Sequence, residues 1–263
     1  MHQHERHGLI AALLQKQGTI GIQELMTRLD ASRATVRRDL QDMEAAGLLR
    51  RVRGGAQALG GRPTQLTEPP FDYNATLNRE TKRAIARKAV ELCGERDSII
   101  IDGGTTTFAM TEFLVQTKVE VLTNSIPIAD FLMRHGENRV TLPGGEIFRE
   151  QQLILSPFDN DLTHRFFASK LFMGAQALTQ HGLMQSDPLL IRAEQKLIDQ
   201  AEKLVVLVDS SKFQGRGSLI LCPLSRIDIV VTDDGISDTA AALLRDAGVE
   251  VMTVPRWQNR SAA

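Results

Sequence analysis

Four short stretches of the chain carry residue types suited to holding an anion or a polyhydroxylated molecule. The run IDGGTTTFAM sets Asp102, Gly103, Gly104, Thr105, Thr106 and Thr107 between an apolar, strand-like run and a helical stretch. Glycines expose backbone N–H groups, a helix start favours negative charge, and threonine hydroxyls add donors, so the expected chemistry is a phosphate cradle. A tight strand-to-helix turn with a threonine cap has the same look. The loop does not fit G-x-G-x-x-G and lacks a GK[ST] ending, which disfavours a dinucleotide or nucleoside triphosphate. Three further loops, TNS at 123–125, PGGE at 143–146 and DSSKF at 209–213, also follow apolar runs. Asn124 is suited to a sugar hydroxyl and Lys212 to a phosphate or carboxylate. The plainer readings are a helix cap for Asn124 or Ser125, a simple turn for Gly144 and Gly145, and a surface ion pair for Lys212. Their coincidence at strand ends, where open α/β sheets bind ligands, favours one site.

Acid–base chemistry finds less support. His181 and Glu194 are candidates that no spacing pairs, so no catalytic residue is assigned, and Glu194 is counted with the ligand-binding residues. Cys93 and Cys222 are far apart, without a CxxC pair or histidines at ligand spacing, so buried reduced thiols are expected, with no metal and no cofactor.

A second chemistry is concentrated near the start. The net charge of −1 hides an asymmetry: through Arg62 there are ten Lys/Arg against six Asp/Glu, leaving 21 against 26 for the remainder. Six of the arginines fall between residues 33 and 53: Arg33, Arg37, Arg38, Arg50, Arg51 and Arg53. A basic head on an acidic body suggests that only the head meets a polyanion.

These groups must be positioned by local elements. Glu5 to Gln17 reads as a first helix ended by Gly18, and Ile22 to Leu29 as a short second one. Ser32 suits the N-cap of a third helix running to Ala46, with Gly47 as its left-handed stop, although Ser32 could also touch a phosphate. At 100° per residue, Val36, Leu40 and Met43 fall within roughly 60° of arc and face a core. Ala34, Thr35 and Arg38 then point away, with Arg33 and Arg37 on the flank. That face suits a major groove, arginine pairing with guanine edges, and threonine and alanine meeting a thymine methyl or a phosphate. The run LLRRVRGGA reads as a β-ribbon whose arginines reach phosphates or the minor groove.

Residues 58–70, ALGGRPTQLTEPP, lack an apolar period and are read as the core of a linker over 58–75. Strand-like runs follow at 98–102, 119–122, 139–142, 170–175, 203–209, 228–232 and 249–254, alternating with helical stretches at 81–92, 126–134, 189–201 and 238–247. That rhythm predicts a mainly parallel sheet covered by helices. The expected domains are 1–57 for DNA binding, 58–75 as linker, 76–255 as an α/β sensing domain and 256–263 as a flexible tail. No apolar run approaches the roughly 20 residues of a membrane span, and MHQHERHGLI is too polar for a secretory signal, so a cytoplasmic location without membrane contact is expected.

The run ASRATVRRDLQDMEAAGLLRRVRGGA resembles the N-terminal signature of the DeoR family of bacterial sugar-catabolism regulators, with Val36 for a usual isoleucine and Arg53 for a usual histidine. The GGTTT loop, TNS, the Gly-Gly loop, KLFMGA, HGL and DSSKF follow in that family's order. The resemblance implies an N-terminal winged helix-turn-helix and a C-terminal Rossmann-like α/β effector domain related to sugar-phosphate isomerases. It also implies double-stranded operator DNA, a phosphorylated sugar or sugar-acid effector, and a homodimer or homotetramer. AEQKLIDQAEKLVVLVDSSK looks closest to regulators of sugar-acid or deoxysugar catabolism, including the ascorbate-phosphate type. Where the family often has Gly-Ala-Asp-Gly this chain has Gly174, Ala175, Gln176 and Ala177, and where deaminase relatives place Asp-Gly-His it has QALTQHG. Binding without turnover is therefore expected of a ligand-controlled repressor. The alternatives are a sugar-phosphate isomerase or deaminase with a DNA-binding appendage, and a structural nucleoid protein.

Overall fold

The computed structural model describes residues 3–52, 54–57, 71–156, 158 and 161–257. The chain separates into two compact units, Met1–Thr67 and Glu68–Ala263.

The first unit contains α1 (Gln3–Gln17), β1 (Thr19–Gly21), α2 (Ile22–Leu29), α3 (Arg33–Ala45), β2 (Arg50–Val52) and β3 (Gly55–Gln57). The three helices match their sequence periods to within two residues, and Gly47 leaves α3 at φ +69°. Ile10, Leu14, Leu25, Leu29, Val36, Leu40 and Met43 close one core, so each stripe faces inward as its spacing requires. The expected β-ribbon is part of a larger element, an antiparallel sheet of order β1-β3-β2. Gly55 pairs with Gly21 there, and a Cβ at Gly55 would stand 2.0 Å from the Ile20 carbonyl oxygen. That glycine serves the close approach of β3 to β1.

The second unit opens with α4 (Phe71–Thr76) and α5 (Arg79–Val90), followed by β4 (Ser98–Ile101), α6 (Thr105–Phe108), α7 (Thr111–Leu114), β5 (Glu120–Thr123), α8 (Ile126–His135) and β6 (Arg139–Thr141). Next come β7 (Glu146–Phe148), β8 (Leu153–Leu155), β9 (Ala168–Met173), β10 (Ala177–Thr179), β11 (Gly182–Gln185) and α9 (Pro188–Ile198). The unit ends with β12 (Ala201–Leu207), β13 (Leu219–Cys222), β14 (Ile229–Asp233), α10 (Asp238–Asp246) and β15 (Glu250–Val254). Residues 71–75, expected in the linker, belong instead to a helix: Phe71 is buried and its N–H donates to the Glu150 carbonyl.

All seven expected strands lie in one parallel sheet of order β15-β14-β12-β9-β4-β5-β6. Its central strands β4, β5, β9, β12 and β14 are buried on both faces over most of their length, which explains apolar runs such as residues 99–101, whereas the edge strands β6 and β15 are partly exposed. Ile99 and Ile101 pack with Ile85, Met110 and Leu132, while the intervening Ile100 packs on the opposite side with Leu197 and Leu244. Beyond the expected elements the unit holds the β7–β8 hairpin and an antiparallel sheet of order β10-β11-β13. The strand order reverses between β4 and β9, so a crevice opens at their carboxyl ends.

Candidate nucleic-acid interface and ligand cleft

The Ser32 Oγ accepts from the Thr35 N–H at 3.2 Å and lies 2.8 Å from the Thr35 Oγ1, which caps α3. Arg33, Ala34, Arg37 and Arg38 are exposed on α3, and Thr35 is half-buried. Arg50 and Arg51 are exposed on β2, and Arg53 lies outside the described residues. Arg51 is not simply a solvated charge: its N–H donates to Glu44 Oε1 at 2.8 Å and its Nε to Oε2 at 2.6 Å. Those bonds, the backbone one first, hold the Glu44 carboxyl below its usual range and brace the ribbon against α3.

Asp39 was missed by sequence reasoning. It sits one position from Leu40 and three from Val36, and its buried carboxylate accepts from Arg6 Nε at 2.6 Å, Arg6 Nη2 at 2.9 Å and His7 Nε2 at 3.2 Å. The signal was available: a carboxylate on the apolar side of a helix requires a partner. Asp39 thereby fixes α3 to α1 beneath the exposed arginines.

In the second unit a cleft opens at the reversal of strand order. It is lined by the loop after β4 (Asp102, Gly103, Gly104, Thr105, Thr106), the loop after β9 (Gly174, Ala175, Gln176), and Glu194 and Lys212. Five of the twelve ligand-site candidates are not among its lining residues. Thr107 is fully buried and donates to the Gly104 carbonyl. Asn124 donates to Asp102 Oδ1 at 2.8 Å and accepts from the Gly103 N–H at 2.9 Å, so it shapes the loop from behind. Ser125 caps α8, and Gly144 and Gly145 form an exposed turn before β7. His181 is exposed between β10 and β11, away from Glu194, whose Oε1 accepts from Gln185 Nε2 at 2.9 Å.

The helix that begins at Thr105 within the GGTTT loop is four residues long, so its dipole supplies little positive charge. Cationic side chains supply it instead. Beside the half-buried Lys212, the cleft holds Lys82, which sequence reasoning missed. Lys82 is buried on the same stripe of α5 as Ile85, Ala86 and Ala89, and a lysine on an apolar stripe was the available clue. Its Nζ donates to the Asn74 carbonyl at 2.6 Å and to Thr105 Oγ1 at 2.9 Å.

Both cysteines are free, Cys222 buried and Cys93 half-buried, and desolvation pushes each thiol up to about 11. Among the described residues no group of three metal-ligating side chains is assembled, and no helix is long and apolar enough to cross a membrane.

An exposed basic face on a capped helix, together with a charged cleft in a separate α/β unit, is the architecture of a DNA-binding regulator with a sensor domain. Residues 6–60 match the DeoR-like helix-turn-helix domain, and residues 77–234 match the DeoR C terminal sensor domain. The chain belongs to the DeoR family of transcriptional regulators. It is 30% identical over 254 residues to the HTH-type transcriptional regulator UlaR of Shigella dysenteriae serotype 1, covering 97% of this chain and 100% of that protein, and equally so to UlaR of Escherichia coli K12. Among solved structures, ribose 5-phosphate isomerase A of Methanocaldococcus jannaschii superposes on 51% of this chain and 54% of its own, with TM-score 0.38 and 19% identity. The β subunit of eIF2B from Chaetomium thermophilum covers 67% and 55%, with TM-score 0.42 and 13% identity.

Proposed function

We propose that this regulator is a cytoplasmic repressor of a sugar or sugar-acid utilisation operon, released or engaged by a phosphorylated sugar or sugar acid held in the cleft. The observation that carries the reading is the cleft itself, where two lysines and two carboxylates converge with the glycine-threonine loop at a sheet switch point. Lysines suit a phosphate or carboxylate, and Glu194 and Asp102 suit sugar hydroxyls. Residues 1–57 form the DNA-binding domain in this reading, the connection falls within 58–70, and α4 together with the residues through 255 senses the effector, followed by the tail at 256–263. Ser32, Arg33, Ala34, Thr35, Arg37 and Arg38 face operator DNA, with Arg50, Arg51 and Arg53 on its backbone. Two or four copies would set recognition helices in successive major grooves, about 34 to 36 Å apart, and the effector shifts the population of that geometry.

The test has two arms. Arg38→Ala should lose operator affinity in a mobility-shift titration while keeping its fold and its effector response; unchanged affinity counts against the assignment of α3. In a thermal-shift screen of phosphorylated sugars and sugar acids, a hit should lose its stabilisation in Lys212→Ala and Thr106→Ala. Incubation with sugar phosphates should give no product, and turnover would overturn the assignment of binding alone.

A further inference from the structure

The outward face of α3 extends further along the helix than Arg38. At 100° per residue, Ala34, Arg38, Gln41 and Ala45 fall within roughly 60° of arc, opposite Val36, Leu40 and Met43. All four are exposed, and the Gln41 side chain makes no hydrogen bond among the described residues. A solvated surface glutamine would look the same in isolation, but its surroundings set it apart. Each carboxylate of α3 is held by a group outside the helix: Asp39 by Arg6 and His7, Asp42 by Gln3 Nε2 at 2.8 Å, and Glu44 by Arg51. The face itself carries no carboxylate to repel a phosphate backbone. It presents one guanidinium and one amide, bounded by two alanines too small to hold the helix away from a surface.

Spacing decides what such a face can read. Arg38 and Gln41 are three residues apart, which separates them by about 4.5 Å along the helix axis, against ~3.4 Å between stacked bases. Two side chains so placed in a major groove reach bases one or two steps apart. Arginine makes a two-point bond to O6 and N7 of guanine, whereas the glutamine amide, a donor and an acceptor side by side, matches N6 and N7 of adenine. We infer that Gln41 is a specificity-determining residue of this regulator, reading an adenine one or two base pairs from the guanine read by Arg38. The inference rests on the reading of α3 as the recognition helix.

The experiment selects sites for the full chain from a pool of double-stranded DNA with a randomised segment. Affinities for the selected site and its single-base variants are then compared among the unsubstituted chain, Gln41→Ala, Gln41→Arg, Arg38→Ala and Arg50→Ala. Gln41→Ala should lose about 5- to 150-fold of discrimination at one A·T pair and none elsewhere. Gln41→Arg should move the preference at that pair to guanine, which a purely structural role cannot do. Arg50→Ala should instead weaken binding to all sequences alike and lower its salt dependence, which Gln41→Ala should leave unchanged. Alanine is the better helix former at an exposed position, so the thermal midpoint of Gln41→Ala should not fall. Relaxed preference for guanine in Arg38→Ala, with every preference intact in Gln41→Ala, overturns the role of Gln41 and leaves α3 as the recognition helix. A uniform loss across all sequences in Gln41→Ala also overturns that role. Preferences that survive in both variants, or no enriched sequence with the unsubstituted chain, overturn both readings.

Discussion

Replacing Asp39 with alanine should weaken operator binding although Asp39 is buried beneath the exposed arginines of α3. Its carboxylate is 1% exposed and accepts a two-point bond from Arg6 at 2.6 and 2.9 Å and a third from His7 at 3.2 Å. Breaking a fully buried ion pair costs about 3–5 kcal/mol. The Arg6 side chain keeps 14% exposure and can rehydrate in part, which lowers the expected loss to about 2–3 kcal/mol. At about 0.05–0.15 kcal/mol per residue, a unit the size of residues 6–60 holds only about 3–8 kcal/mol. The substitution therefore removes a large share of the stability of the first unit and none from the second. Hydrogen exchange resolves the two: amides of α1 and α3 should exchange about 30- to 150-fold faster, with the parallel sheet unchanged, while operator affinity falls in a mobility-shift titration. Arg38→Ala should give the converse, lost affinity with normal exchange. Unchanged exchange in α3 of Asp39→Ala, whatever its affinity, would refute the argument.

Other expectations follow from the same geometry. Gly55→Ala drives a Cβ toward the Ile20 carbonyl and should destabilise the three-stranded sheet by about 1–3 kcal/mol, seen as a lower urea midpoint for the first unit. Arg51 is already bonded to Glu44, so Arg50→Ala should weaken operator binding more than Arg51→Ala at matched salt. Burial raises the Asp161 carboxyl, but bonds from Thr163, Lys196 and Ser156 outweigh it and bring it down to about 2. A carboxyl depressed on folding stabilises above its ordinary value near 3.8 and loses that contribution as pH falls toward about 2. Acid unfolding of the second unit should therefore show a smaller drop across that window in Asp161→Asn, measured by circular dichroism.

Local pattern accounts for much of this molecule. The three helices of the first unit, their core stripes and the Ser32 cap were legible because 3.6-residue periodicity and capping are short-range effects. The central strands of the parallel sheet were legible for a related reason: burial on both faces demands continuous apolar runs such as 99–101 and 204–208. The glycine-threonine loop, Glu194 and Lys212 were found as residue types at strand ends or on a helix, and the structure gathers them in one cleft.

Tertiary structure decided what pairs with what. The strand order, with its reversal between β4 and β9, depends on hydrogen bonds between segments some seventy residues apart, such as Ile99 with Lys170, and no local spacing encodes that choice. Asp39 meets Arg6 across 33 positions, and Lys82 meets Thr105 across 23, so the sequence shows each only as a charge on an apolar stripe and does not name its partner. Asn124, read as a sugar ligand, became a brace for Asp102 and Gly103 because its amide is aimed by the end of β5 at the neighbouring strand's loop. Residue type announces what a side chain can do; only packing, which sets its partners and its distance from water, determines which of those things it does.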